Sequence, residues 1–167
     1  MEELRNKVAE SGLITIDLEK YYPAKPIKVF DIKDFLFMGQ ILKEKDFRES
    51  LDQNDWSSFD GFDAVIICSV DAIIPMWAYM LVVSKIEGKA LSIHVGSKED
   101  AIKDIFIQHL QAIDSAQYED KRVVVKGCGD ILIPEYAYVE VSKKLLPVVK
   151  SLMYGEPCST VPVFKRK

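Results

Sequence analysis

Apolar residues fall into three short continuous runs along this chain, at 62–71 (FDAVIICSVD), 90–95 (ALSIHV) and 122–126 (RVVVK). Each reads as a strand buried on both faces, because a run of four to six apolar residues bounded by turn residues has no wet side. Helical periodicity follows each of them. Alternating strand and helix implies a parallel sheet, so the pattern predicts one α/β domain over residues 1–167: three layers, with a mainly parallel central sheet built from consecutive βα units.

Taken in order, the chain adds weaker elements around these strands. Leu4 and Val8 stand one turn apart before Gly12, which predicts a short N-terminal helix over 2–11. Ile14, Ile16 and Leu18 alternate with polar residues, and 27–32 (IKVFDI) is again extended, so the two are expected to form an antiparallel hairpin at the sheet's edge. Residues 34–42 fit a strand broken at Gly39 or a short helix, and a strand is expected at 40–42. Phe47 and Leu51 lie one turn apart among charges, with Glu44 four residues before Arg48, which predicts a surface helix over 43–52.

After the first apolar run, Asp71 is expected to cap a helix with Pro75 in its first turn, ending near Ile86 before Gly88. That helix is apolar on nearly all sides, so either the N-terminal elements roof it or a second copy of the chain does. Ser97 caps the next helix, with Glu99 and Asp100 in its first turn. Its stripe of Ile102, Ile105, Phe106, Leu110 and Ile113 includes His109, read as a partly buried residue with one hydrogen bond. The last helix is expected to start at Pro134, to kink at Pro147 and to run to Gly155. No internal repeat stands out.

Composition narrows the classes. The chain has 167 residues, 49% of them hydrophobic, and a formal charge of −4. That balance suits a folded domain and gives no electrostatic footprint for a nucleic-acid backbone. Residues 1–12 have no apolar core of a secretory signal, and the longest apolar run, 72–83, is short of a membrane span. The expectation is a cytoplasmic protein with no nucleic-acid or membrane partner. Its three cysteines, odd in number and widely spaced, suit thiols or ligands better than a disulfide framework.

Candidate chemistry gathers where α/β proteins place their sites, at the carboxyl ends of the strands. Cys68, Ser69 and Asp71 follow the first run, His94 lies near the end of the second, and Gly127, Cys128, Gly129 and Asp130 follow the third. Glycines on both sides of Cys128 allow a sharp turn, and successive amides there can favour an anion or a thiolate. The stiff segment 156–162 (EPCSTVP) is expected to fold back across the same edge and to bring Cys158 to Cys128. The two would serve as thiol or soft-metal ligands, with Cys68, His94 and Glu156 as candidates for further positions. The other reading is an enzyme pocket at that edge, with Cys128, Asp71 and Glu135 as candidate catalytic residues. A third is a homodimeric interaction module without catalysis. The chain has no GxGxxG, no Walker loop, no G-x-S-x-G elbow and no HExxH.

GLITIDLEKYYP, FDIKDFLFMGQILKEKDFR, CSVDAIIPMWAYML, VKGCGD and GEPCSTVPVFKRK together resemble domain-of-unknown-function family 2480, small bacterial proteins chiefly from the Bacteroidetes. The resemblance covers nearly the whole chain and is carried most firmly by Cys68, Ser69, Asp71, Pro75, Trp77, Cys128, Glu156 and Cys158. It does not extend to His94. It implies no established activity, but a link by gene neighbourhood to iron–sulfur cluster assembly. Zinc or an iron–sulfur species is then the expected cofactor, and iron–sulfur assembly proteins the expected partners alongside a second copy of the chain.

Overall fold

The computed structural model describes residues 12–127 and 129–167. The helix expected over 2–11, and Cys128 itself, lie outside the described residues. In chain order the main elements are β1 (Leu13–Asp17), β2 (Lys28–Asp31), α1 (Glu44–Gln53), β3 (Asp63–Ile67), α2 (Met76–Ile86), β4 (Ser92–Val95), α3 (Lys98–Gln111), β5 (Arg122–Lys126), α4 (Glu135–Leu145), β6 (Ser151–Glu156) and β7 (Ser159–Lys165). The mixed α/β class with mainly parallel strands holds.

The strands form two sheets, and the chain divides into two compact units. The inserted unit, Pro23–Asp104, carries the parallel sheet β2-β3-β4. Its core joins Phe30, Phe47, Leu51, Ala64, Ala78 and Val82. The flanking unit comprises residues up to Tyr22 together with Ile105–Lys167. It carries the sheet β1-β5-β6-β7, parallel except for β7. Its core joins Ile16, Phe106, Leu110, Val123, Ala137 and Val141.

The two units are copies of one plan. From α1 onward, residue n of the inserted unit corresponds to residue n + 59 of the flanking unit, as in Asp55 and Asp114, Asp71 and Asp130, Pro75 and Pro134, Tyr79 and Tyr138, Ser92 and Ser151. Hydrogen bonds repeat at that interval: Ala78 N–H to Pro75 O and Ala137 N–H to Pro134 O, Leu91 N–H to Phe62 O and Lys150 N–H to Lys121 O, Gly61 N–H to Lys89 O and Asp120 N–H to Val148 O. Gly61 and Asp120 both take positive φ, 75° and 53°, in matching turns. The rings repeat too, with Phe47 edge-on to Trp77 at 6.1 Å and Phe106 edge-on to Tyr136 at 6.1 Å. The first strands correspond at n + 14: Asp17 and Asp31 each end a strand and accept an amide two residues on, opening a 3₁₀ turn. The chain thus lays down one strand of the first copy, builds the whole second copy, and then completes the first.

Several expectations are corrected. β1 and β2 do not form a hairpin, since β1 pairs in parallel with β5 and β2 in parallel with β3. Pairing with each other would leave the buried rows of β5 and β3 a bare edge. The antiparallel edge is instead β6 with β7. Residues 40–42 are no strand: Phe37 and Ile41 close a tight turn through Met38 and Gly39, both at positive φ. Asp71 does not cap α2, because an extended stretch ends at Pro75 and the helix starts five residues beyond the carboxylate. Pro147 does not kink a long helix. α4 stops at Leu145, and Leu152, within the range expected to be helical, lies in β6. Proline there has no N–H for the next helical bond, so the chain turns and re-enters the sheet. His109 is exposed rather than buried on the α3 stripe, but its Nδ1 meets Tyr21 O at 2.8 Å. Ser97 caps α3 as expected, accepting from the Asp100 amide at 3.0 Å while Asp100 accepts from the Ser97 amide at 3.1 Å.

Candidate functional site

In the flanking unit, three parallel strands deliver their carboxyl ends to one edge. β1 ends at Asp17, with Glu19 in the 3₁₀ turn beyond; β5 ends at Lys126; β6 ends at Glu156. Lys126 Nζ lies 3.3 Å from Glu156 Oε1. The hydrogen bond and charge of Glu156, supported by Asp17 and Glu19, raise the Lys126 pKa against a smaller effect of burial. Glu19 Oε1 accepts the Ile131 amide at 3.2 Å, which ties the turn after β5 back to the end of β1.

The two glycines of Gly-Cys-Gly have separate reasons. A Cβ on Gly127 would run into the Tyr138 hydroxyl, and one on Gly129 into the Glu19 carboxylate. Gly127 thus lies with its backbone close to a phenol and Gly129 with its backbone close to a carboxylate. Two residues past Glu156, Cys158 stands exposed in the tight turn that joins β6 to β7. The stiff segment does fold back, as the returning strand β7, which pairs Glu156 with Ser159 and Tyr154 with Val161.

The inserted unit builds the same edge differently. Asp31 accepts amides from Lys33 at 3.0 Å and from Ser69 at 3.1 Å. Burial alone would raise its carboxyl, but bonds from the Ser69 hydroxyl and amide and from Lys33 hold it below its ordinary value. Cys68, half-buried, gives its thiol hydrogen to Val70 O at 3.4 Å. Cys68, Tyr79, Val95, Gly96 and Ser97 are among the residues lining a groove of about 580 Å³ at this edge.

His94 is not at the edge. Its side chain, 6% exposed, lies within a polar chain: Ser92 Oγ donates to Asp63 at 2.6 Å and stands 2.8 Å from His94 Nε2, while His94 Nδ1 is 3.6 Å from Asp104. Serine, histidine and aspartate in this order suggest a hydrolase triad, but the 2.6 Å contact of Ser92 Oγ with the Asp63 carboxylate competes for the serine hydrogen. With the one Ser92 hydrogen given to Asp63, the oxygen can only accept from Nε2–H, and a histidine that donates there cannot take the serine proton. The cluster satisfies buried Asp63 instead.

The sequence candidates are thus divided: Cys68, Asp71 and His94 belong to the inserted unit, Glu135, Glu156 and Cys158 to the flanking one. Asp71 and Glu135 are both exposed. Among the described residues no three His, Cys, Asp or Glu side chains come together as a metal site. Sequence reasoning missed Asp31, Glu19, Tyr138 and Lys126. The recurring D-x-x-I-P, DAIIP at 71–75 and DILIP at 130–134, each followed three residues on by Ala-Tyr, was the signal that would have exposed the repeat and the paired tyrosines.

A family model described as protein of unknown function DUF2480 matches residues 2–166. The chain belongs to this family. The match spans both units. No curated protein and no solved structure matches the chain.

Proposed function

We propose that this DUF2480 protein handles a soft metal or sulfur species, as an accessory of iron–sulfur cluster assembly or sulfur metabolism in the cytoplasm, with Cys128 and Cys158 acting together at the carboxyl edge of the four-stranded sheet. The observation that carries the reading is the Lys126–Glu156 ion pair at 3.3 Å. It joins the last residues of two hydrogen-bonded parallel strands, and each strand runs on to a cysteine two positions later. Thiolates suit zinc and iron–sulfur species, and a tetrahedral site would need two further ligands, for which Glu156 is the nearest candidate in sequence. One family model over both units supports treating 1–167 as one functional domain.

The test is alkylation of the full chain, purified without a histidine tag, with the modified cysteines mapped by mass spectrometry before and after addition of zinc. Zinc is expected to protect Cys128 and Cys158 together and to leave Cys68 unchanged, and either Cys128→Ser or Cys158→Ser is expected to abolish protection of the other. Alkylation rates at the two positions that are independent of zinc and of each other would overturn the reading.

A further inference from the structure

The duplication shows what one unit has and the other lacks. In the flanking unit β6 is covered by the antiparallel strand β7, which sets Phe164 opposite Leu152 and Val161 opposite Tyr154. The corresponding strand of the inserted unit is β4, and among the described residues it pairs only with β3. Beside it lies a groove of about 690 Å³ lined by Met76, Tyr79, Met80, Val83, Ile93 and Val95 among others. Its counterpart in the flanking unit, lined by the matching Tyr138, Ser142, Leu152 and Tyr154, also includes Val163 of β7. On the open side Met76 and Met80 are each 72% exposed, Val95 64% and Leu91 60%. This is the uncovered face of the helix whose apolarity demands a cover.

We propose that a second copy of this chain covers it, through antiparallel pairing of β4 with β4 about Ile93. Leu91 N–H donates inward to Phe62 O at 2.9 Å. Backbone groups of successive strand residues alternate between the two edges, so Ser92 and His94 present their N–H and C=O outward. An antiparallel partner of identical sequence centred on Ile93 sets Ser92 against the second copy's His94 and His94 against its Ser92, and every outward group gains a partner. The same register sets exposed Leu91 against the second copy's exposed Val95, twice over by symmetry. Ile66, Ile93 and Val95 share the groove with Met76 and Met80, so the α2 faces close over the same side of the seam. Met76, Met80, Val83, Leu91 and Val95 together expose several hundred Å² of apolar surface, the scale of the ~800 Å² that each partner of a standard interface buries. The strand SIHV holds no proline and no charged residue that would keep another edge away.

Sedimentation of the full chain at about 20 μM protomer is expected to show a dimer, and Val95→Lys to raise its dissociation constant by at least about tenfold. In a chain with Cys68, Cys128 and Cys158 replaced by serine, Ile93→Cys is expected to form a disulfide-linked dimer under diamide. The self-paired position in this register sets its two Cα atoms about 4.5 Å apart, within disulfide reach. Leu132→Cys, 94% exposed in the flanking unit, should cross-link no faster than random encounter in the same background. A monomer at this concentration would overturn the proposal. So would a dimer indifferent to Val95→Lys in which Ile93→Cys links no faster than Leu132→Cys. A chain that dimerises only after deletion of residues 1–11 would show that its own N-terminal segment is the cover and would overturn it equally. The cysteine-free background separates these results from those of the thiol site.

Discussion

The flanking and inserted units share a strand pattern, an Asp-ended first strand and a D-x-x-I-P entry into the helix beneath the site, yet their sheet edges have gone separate ways. The flanking unit closes β6 with β7 and sets Gly127 against Tyr138 and Gly129 against Glu19. Among the described residues the inserted unit leaves β4 open, and it places side chains, Cys68 and Val70, where the flanking unit has Gly127 and Gly129. What stays alike is what the core needs: the paired Phe47 and Phe106, Ala78 and Ala137, Val82 and Val141 are all fully buried. What differs lies at the sheet edges, where each unit sets its own contacts: glycines against Tyr138 and Glu19 in one, the Cys68 thiol on Val70 O in the other.

The largest effects should come from breaking the shared core in one copy at a time. Phe47→Ala and Phe106→Ala are each expected to cost about 3–5 kcal/mol by denaturant titration, as for other buried aromatic truncations. Hydrogen exchange is expected to rise first in β2 and β3 for the former and in β1 and β5 for the latter. Equal loss of protection in both sheets from either change would mean that the copies do not behave as separate units. A smaller cost probes a difference between them: Gly127→Ala drives a methyl into the Tyr138 hydroxyl and should cost about 1–3 kcal/mol, partly restored when Tyr138→Phe is added. No restoration would show that the turn, and not the phenol, sets the glycine requirement.

Next come the matched aspartates. Asp17→Ala and Asp31→Ala each remove a side-chain acceptor at the start of a 3₁₀ turn and should cost about 1 kcal/mol, Asp31 the more because it also holds the Ser69 amide. Chemical denaturation at neutral pH would rank them, and a larger loss at Asp17 would break the assignment. The smallest effect is a pH slope. Asp31 has a folded pKa below the unfolded 3.8, so its contribution is complete above that value and is lost as pH falls through the folded one. Asp31→Asn should therefore flatten the fall of the unfolding midpoint as pH drops below about 4, and an unchanged slope would assign that fall to other carboxylates.

How much of this was legible follows from the range over which each interaction acts. β3 and β5 could be read as buried strands because an apolar run is a local feature, and 122–126 is β5 as it stands. The run at 90–95, expected to be buried on both faces like them, is instead the half-exposed edge strand β4. The helices beginning at Glu44 and Lys98 follow from periodicity and the Ser97 cap. Helix ends were less legible. Pro147 could mean a kink or a stop, and only the place of β6 beside β5 makes it a stop. The candidate edge was legible in the same partial way: its thiols and glycines were visible, while Glu19 and Tyr138, remote in sequence, were not.

The sequence by itself determined the class, the strand cores, the Ser97-capped start of α3 and the chemistry available, because each of these depends on residues within one or two turns of one another. Which strands pair, the division into two sheets and the duplication were decided by the tertiary structure. β1 is separated from β5 by an entire second copy, and no local preference distinguishes that pairing from a hairpin with β2. The burial of β5 between two neighbours, a gain spread along the whole strand, does.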